Sequence, residues 1–268
     1  SPMELKPVIP AVVEPTTGKT MGQHCEMMAK EWKISRKDQD ELAFKSHANG
    51  AAAYERGFYK DLIVPCADQV KDDNLRSDTT IEKLSKLKPA FDRSEAGTLT
   101  AGNSSPLTDG ASCVLLSSEA WAQENGLEPL AEFVDCEVAA VNFEHEGLLM
   151  APAYAVARML QRNGLQLQDF DYYEIHEAFA AQVLCTLKAW ESEKFCKEKL
   201  GLSKALGSID RTKLNVVGGS TAIGHPFGAT GGRLIGTLAK LLKEKGKGRG
   251  LISICTGGGM GVTAILEC

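Results

Sequence analysis

Residues 214–245 read LNVVGGSTAIGHPFGATGGRLIGTLAKLLKEK, and the order of textures in them decides how the rest of the chain is read. A strand pattern, Leu214–Val217, enters a turn holding Gly218, Gly219, Gly224, Gly228, Gly231 and Gly232. A helical pattern, Gly228–Lys245, leaves it. A strand that feeds a helix through such a turn is the building unit of a layered α/β domain with a mostly parallel sheet. His225 lies in the turn. Glycines admit backbone conformations closed to other residues and let a ligand come close. The first N–H groups of the helix add a positive dipole end. Open α/β sheets bind ligands at this end of their strands, so His225 is a candidate functional residue and not an incidental one.

Thirty residues on comes Cys255-Thr256-Gly257-Gly258-Gly259-Met260-Gly261, between strand patterns at Gly250–Cys255 and Val262–Glu267. So short a separation predicts an antiparallel pair. Cys255 ends the first strand beside a backbone with no side-chain cover. Its thiol can exchange a proton there if its pKa is lowered; a tight hairpin behind a buried thiol is the plainer alternative. Upstream, His176-Glu177-Ala178-Phe179-Ala180-Ala181 joins a strand, Tyr172–Ile175, to a helix, Ala178–Trp190. That junction falls on the same sheet edge. His176 is suited to hold a water or polarise a carbonyl oxygen, whereas Glu177 equally suits the positive end of the helix it precedes.

Around this centre the patterning predicts further strands at Ser112–Ser117 and Ala131–Val141, with helices at Ser118–Asn125 and Pro152–Arg162. Residues 191–213 are charged and read as a surface insertion. Residues 1–97 read as helix and loop. An amphipathic helix spans Arg36–Arg56, capped by Ser35 with Asp38 three residues on and stopped by Gly57. A shorter helix covers Met21–Trp32, and a short strand Asp61–Pro65. Composition agrees with a globular chain: 268 residues, 43% hydrophobic and 24% charged. The net charge of −5 argues against a broad nucleic-acid surface. Eight cysteines without a C-x-x-C pair predict buried reduced thiols, with no zinc site and no disulfide scaffold. No apolar run is long enough to span a bilayer, and Ser1–Pro7 carries no signal-peptide pattern.

Taken together, GHPFGATGGR, then CTGGGMG close to the C-terminus, with HEAFAA before them, resemble the thiolase family. The likeness extends upstream. Residues 21–65 look like the thiolase loop-domain segment, and residues 86–112 look like the return into the first half-domain. His176 stands where most thiolases have Asn, as in the β-subunit branch of the fatty-acid oxidation trifunctional complex. The resemblance implies a thiolase-like layered α/β fold: loop-domain portion over 1–97, the end of the N-terminal half-domain over 98–127, and the C-terminal half-domain over 128–268.

It also implies 3-ketoacyl-CoA thiolase chemistry. A cysteine thiolate cleaves a 3-ketoacyl-CoA, and CoA then takes the shortened acyl group. By resemblance His225 activates the nucleophile and lines an oxyanion site. Cys255 exchanges the proton of the acetyl carbon, and His176 serves the enolate oxygen, where its tautomer matters. Gly258 and Gly259 shape the wall beside Cys255. Arg76 and Ser105 match CoA-contacting positions, as do Met21, Ala101, Leu107, Ala178 and Phe179. Thr20 replaces a His found in many thiolases. No segment looks like the family's nucleophile turn, so the chain is expected to be the C-terminal part of a longer enzyme and inert alone. CoA and acyl-CoA are its substrates, with no cofactor and no metal. A homo-oligomer and a hydratase/dehydrogenase α-subunit are the expected partners. The bacterial cytoplasm is the expected compartment, with the mitochondrion as the alternative. Two readings compete: a CoA-binding or assembly module without turnover, and a β-ketoacyl synthase-like enzyme, which the CTGGG motif disfavours.

Overall fold

A computed structural model describes residues 12–268; the reading of Ser1–Pro7 lies outside these. The chain begins with α1 (Met21–Glu31), whose Thr20 and Gln23 form a reciprocal capping box. Next comes α2 (Arg36–Glu55), capped by the Ser35 hydroxyl on the Asp38 N–H as predicted, then the short α3 (Ile81–Ser85). After α4 (Glu119–Glu124) the sheet domain follows: β1 (Glu132–Ala140), α5 (Phe143–Glu146), α6 (Ala151–Asn163), β2 (Tyr172–Ile175), α7 (Ala180–Glu191) and α8 (Glu193–Glu198). It ends with α9 (Ser220–Ile223), α10 (Thr230–Lys245), β3 (Arg249–Thr256) and β4 (Met260–Glu267).

The four strands form one sheet in the order β1-β4-β3-β2. β3 and β4 are antiparallel across the triple-glycine turn, as expected, while β2 runs parallel to β3. Alternation along β3 sends Leu251 and Cys255 to one face and Ile252 and Ile254 to the other. The first face packs on α6 and α7, in a core that includes Trp190, Met159 and Phe170. The second packs on α10 through Leu234, Leu238 and Leu242. Helices cover both faces, so β3 is nearly continuously apolar, as a doubly covered strand must be. This is the layered α/β fold anticipated. α1 packs outside α7, and α2 crosses the α9 turn. That crossing explains Gly50, which sits unexpectedly mid-helix. A Cβ at Gly218, whose φ is +93°, would lie 2.8 Å from the Gly50 Cα, so both positions are bare where two backbones meet.

Three predicted strands are corrected. Leu214–Val217 shrinks to one bridge, Leu214 to Tyr173. The chain then turns at Asn215, which has φ 45°. The Asn215 side chain takes over the pairing: Oδ1 accepts from the Ile175 N–H and Nδ2 donates to the Ile175 carbonyl, both at 2.9 Å. Ser112–Ser117 joins no ladder and carries no regular secondary structure, with no strand among the described residues paired to it. Asp61–Pro65 is turn and coil: Leu62 and Ile63 both bond back to the Tyr59 carbonyl and drop their side chains into a small cluster around Phe58 and Val217. The 191–213 segment is partly helical, through α8 and a single 3-10 turn at Arg211–Lys213.

Candidate active site

β2 and β3 are parallel, so their C-terminal ends lie at one edge of the sheet. His176 is the first residue beyond β2, held by its N–H to the Ser253 carbonyl at 2.9 Å. Cys255 is near the end of β3, opposite Gly261. The turn between α9 and α10 brings in His225, whose ring centroid is 4.1 Å from that of His176. Sequence reasoning placed these three motifs on one edge, and the fold brings the two histidines into contact there.

Glu177 builds the frame beneath them. It is fully buried and accepts from Ser46 Oγ (2.8 Å), Asn215 Nδ2 (2.6 Å), Thr221 N–H (3.1 Å) and Thr221 Oγ1 (2.6 Å). It therefore ties α2, the 215 turn and the α9 turn together. Its expected place at the start of the helix after it is corrected: Glu177 precedes the Phe179 cap of α7, and its carboxylate reaches Thr221 in the first turn of α9 instead.

The two imidazoles are neutral at physiological pH. Burial pushes His225 down to about 4, with the Arg233 charge adding to it. Burial, His225 and Arg233 together push His176 well below the usual histidine range. His225 Nδ1 lies 2.7 Å from Thr230 Oγ1, and the Thr230 hydroxyl donates to the Pro226 carbonyl at 3.1 Å. With its proton on that carbonyl, Thr230 accepts from Nδ1–H and leaves His225 Nε2 with a lone pair, the form a general base needs. The Cys255 thiol departs from its conditional expectation of a lowered pKa. Burial pushes it up to about 12, so it stays a thiol, a proton donor. Gly258 and Gly259 adopt φ +75° and +73° in the turn beside it, and a Cβ at Gly259 would meet the Val141 carbonyl at 2.9 Å.

Segment 104–107 runs along the same edge. Ser104 bridges Phe179, the Ser105 N–H donates to the Ala178 carbonyl at 3.0 Å, and Leu107 bridges His225. Ser105, Leu107, Ala178 and Phe179 are thus gathered beside the histidines. Met21 packs at the margin of the same core. Ala101 is exposed in a 3-10 turn just before the segment. Arg76 is exposed in the loop after α2, where its backbone N–H meets His47 Nδ1 at 3.2 Å; no hydrogen bond joins it to segment 104–107 among the described residues. Exposed apolar side chains, Leu107 and Phe227, flank His225, with the Phe227 ring 4.8 Å from it. No His, Cys, Asp and Glu cluster able to hold a metal occurs among the described residues. Reading the sequence missed Ser220, Thr230 and Arg233. All three lie inside the glycine-rich stretch, but their partners are set only by how that stretch folds back.

This arrangement is matched by known proteins. The thiolase C-terminal domain model matches residues 127–268 and the thiolase N-terminal domain model residues 4–120. The chain belongs to the thiolase family. It is 45% identical, over 98% of its length, to a 3-ketoacyl-CoA thiolase of Yersinia enterocolitica and to one of Shewanella loihica, and spans 62% of the length of each. Among solved structures, an acetyl-CoA acetyltransferase of Bacillus anthracis superposes with TM-score 0.81 at 38% identity, over 96% of this chain and 62% of that one. Human mitochondrial 3-ketoacyl-CoA thiolase superposes with TM-score 0.78 at 30% identity, over 96% and 61%.

Proposed function

We propose that this chain carries the base, acid and oxyanion-donor part of a 3-ketoacyl-CoA thiolase acting in fatty-acid β-oxidation. The observation that carries the reading is the pair of neutral imidazoles in contact at the sheet edge where β2 and β3 end, with the buried protonated thiol of Cys255 near the end of β3. In the reaction, His225 Nε2 takes the proton of a cysteine thiol, and the thiolate attacks C3 of the 3-ketoacyl-CoA. The C2–C3 bond breaks. Its electrons pass to the thioester carbonyl as an enolate, and His176 donates to that oxygen. Cys255 delivers its proton to C2, releasing acetyl-CoA. The thiol of a second CoA then gives its proton to the Cys255 thiolate and attacks the acyl-enzyme thioester; the shortened acyl-CoA leaves, and the released cysteine thiolate takes its proton back from His225.

None of the described cysteines hydrogen-bonds to His225, so the reading takes the nucleophilic thiol from outside these residues. Ser105, Ala178, Phe179, Met21, Leu107 and Ala101 are assigned to the pantetheine arm, and Arg76 to the nucleotide end. The division at 97/98 and 127/128 goes with this assignment. Self-association is supported by the exposed Leu115, Leu116, Trp121 and Val138. A hydratase/dehydrogenase α-subunit is a further partner suggested by His176 in HEAF. Bacterial relatives support a cytoplasmic setting, and no helix among the described residues is long and apolar enough to cross a membrane.

The test adds CoA and a 3-ketoacyl-CoA to the purified 268-residue chain and follows binding and thioester consumption separately. Binding without consumption is expected. A folded chain that fails to bind CoA overturns the reading, and consumption would move the nucleophile's role to one of the eight cysteines present.

A further inference from the structure

We infer that Arg233 and Ser220 are positioning residues that hold His176 as its Nε2–H tautomer, so that this imidazole meets a bound ligand as a hydrogen-bond donor. The argument is one of direction. Arg233 Nη2 donates to Ser220 Oγ at 2.8 Å, and a guanidinium has donors only. Ser220 therefore accepts from Arg233. Ser220 is fully buried, and its Oγ has one other partner, His176 Nδ1, at 2.7 Å. If Nδ1 carried the proton, the Ser220 oxygen would accept twice and its own hydroxyl proton would have no acceptor in a site closed to water. The satisfied arrangement sends the serine proton to Nδ1. Nδ1 then bears the lone pair, and the one proton of the neutral ring is on Nε2.

That Nε2 is an unspent donor. His176 is 1% exposed, and the atom has no partner among the described residues. A buried N–H without an acceptor marks a place where a ligand oxygen belongs. Arg233 also keeps the ring neutral from behind, as burial does. The neighbouring His225 is set the opposite way, with Thr230 taking its Nδ1–H. Two touching imidazoles thus present different faces, one donating and one accepting, because one leans on a serine loaded by arginine and the other on a threonine bonded to a carbonyl. The ligand class that fits the donor is a thioester whose carbonyl oxygen gathers negative charge. That last identification rests on the proposed thiolase reading; the tautomer does not.

The experiment is nitrogen-15 NMR of the 268-residue chain labelled at histidine, with the His176 signals identified by their loss in His176→Asn. The expected spectrum has a pyridine-type Nδ1 and a protonated, pyrrole-type Nε2 for His176. Ser220→Ala and Arg233→Met should each shift the ring towards the Nδ1–H form or a mixture, and Ser220→Thr should restore the original pattern. A protonated Nδ1 in the unaltered chain overturns the inference, as does an unchanged His176 pattern in folded Ser220→Ala. The unaltered chain decides the matter even where a variant does not fold. Titration with acetyl-CoA separates the two layers. A moved Nε2–H signal supports both, whereas an unmoved one in a ring that is still Nε2–H counts against the thiolase reading and leaves the positioning role standing.

Discussion

Gly250–Cys255 and Ser112–Ser117 are alike on paper, two short apolar runs bounded by polar or glycine residues. In the structure they part. The first lies in β3, laddered on both sides by β2 and β4, with Leu251 fully buried. The second forms no ladder, and Leu115 and Leu116 stand 70% and 69% exposed. Apolar patterning thus states which residues profit from burial, and the presence of neighbours decides whether a strand forms. Backbone N–H and C=O groups gain order only where a partner strand offers theirs. The candidate site residues His176 and Cys255 sit at the ends of laddered strands.

The contrast makes graded predictions. The largest effect belongs to Glu177→Ala. It strips the acceptor from the Ser46, Asn215 and Thr221 donors in the interior, at a cost of about 4 kcal/mol or more if each buried donor loses about 1 kcal/mol. Urea unfolding measures it, and a change below 1 kcal/mol would mean that the carboxylate does not hold the frame. Leu251→Ala should cost about 3 kcal/mol through a cavity between the sheet and α6. The matched Leu115→Ala should stay within about 0.5 kcal/mol. Equal losses in the two variants would erase the distinction drawn here.

Comparable to the largest of these is a pH effect at Glu174, buried on β2 and raised to about 8 by burial, its carboxyl oxygens without partners among the described residues. A carboxyl raised in the folded state binds protons more tightly there than in the unfolded chain. Its contribution is fully present below the unfolded value near 4.5 and is lost as pH rises through about 8. Glu174→Gln should therefore gain on the unaltered chain as pH rises from 4.5 to 8, by up to about 5 kcal/mol, then level off. His225 works with the opposite sign: lowered to about 4, it withdraws stability as pH falls from 6.5 towards 4. Thermal melts across this range would show the two trends. A gain for Glu174→Gln that shrank with rising pH would contradict the assignment. Smallest of all, Glu128→Ala, which removes an exposed partner of Lys243, should leave the melting temperature unchanged, because a solvent-exposed ion pair contributes little.

Much of the fold was legible because its periodicities are strong. α10, α6, β2 and the β3–β4 pair appear within a residue or two of where pattern and glycine punctuation put them. Leu214–Val217 was misread because Asn215 reproduces a strand's hydrogen bonds with its side chain, which composition cannot announce. In the site, His225, His176 and Cys255 were visible through the glycines around them. Ser220, Thr230 and Arg233 were in plain view in the same motif, yet nothing in their spacing says that Arg233, thirteen residues on, returns to Ser220.

The sequence by itself determined the layered α/β class, the family likeness and the identities of the candidate site residues, because periodicity, glycine placement and residue chemistry are local properties. Only the tertiary structure decided which apolar run becomes a strand, that burial keeps both imidazoles neutral and Cys255 protonated, and which side chain each imidazole nitrogen meets. Those outcomes depend on burial and on hydrogen-bond partners brought from distant parts of the chain, and burial and partnership exist only once the layers have closed.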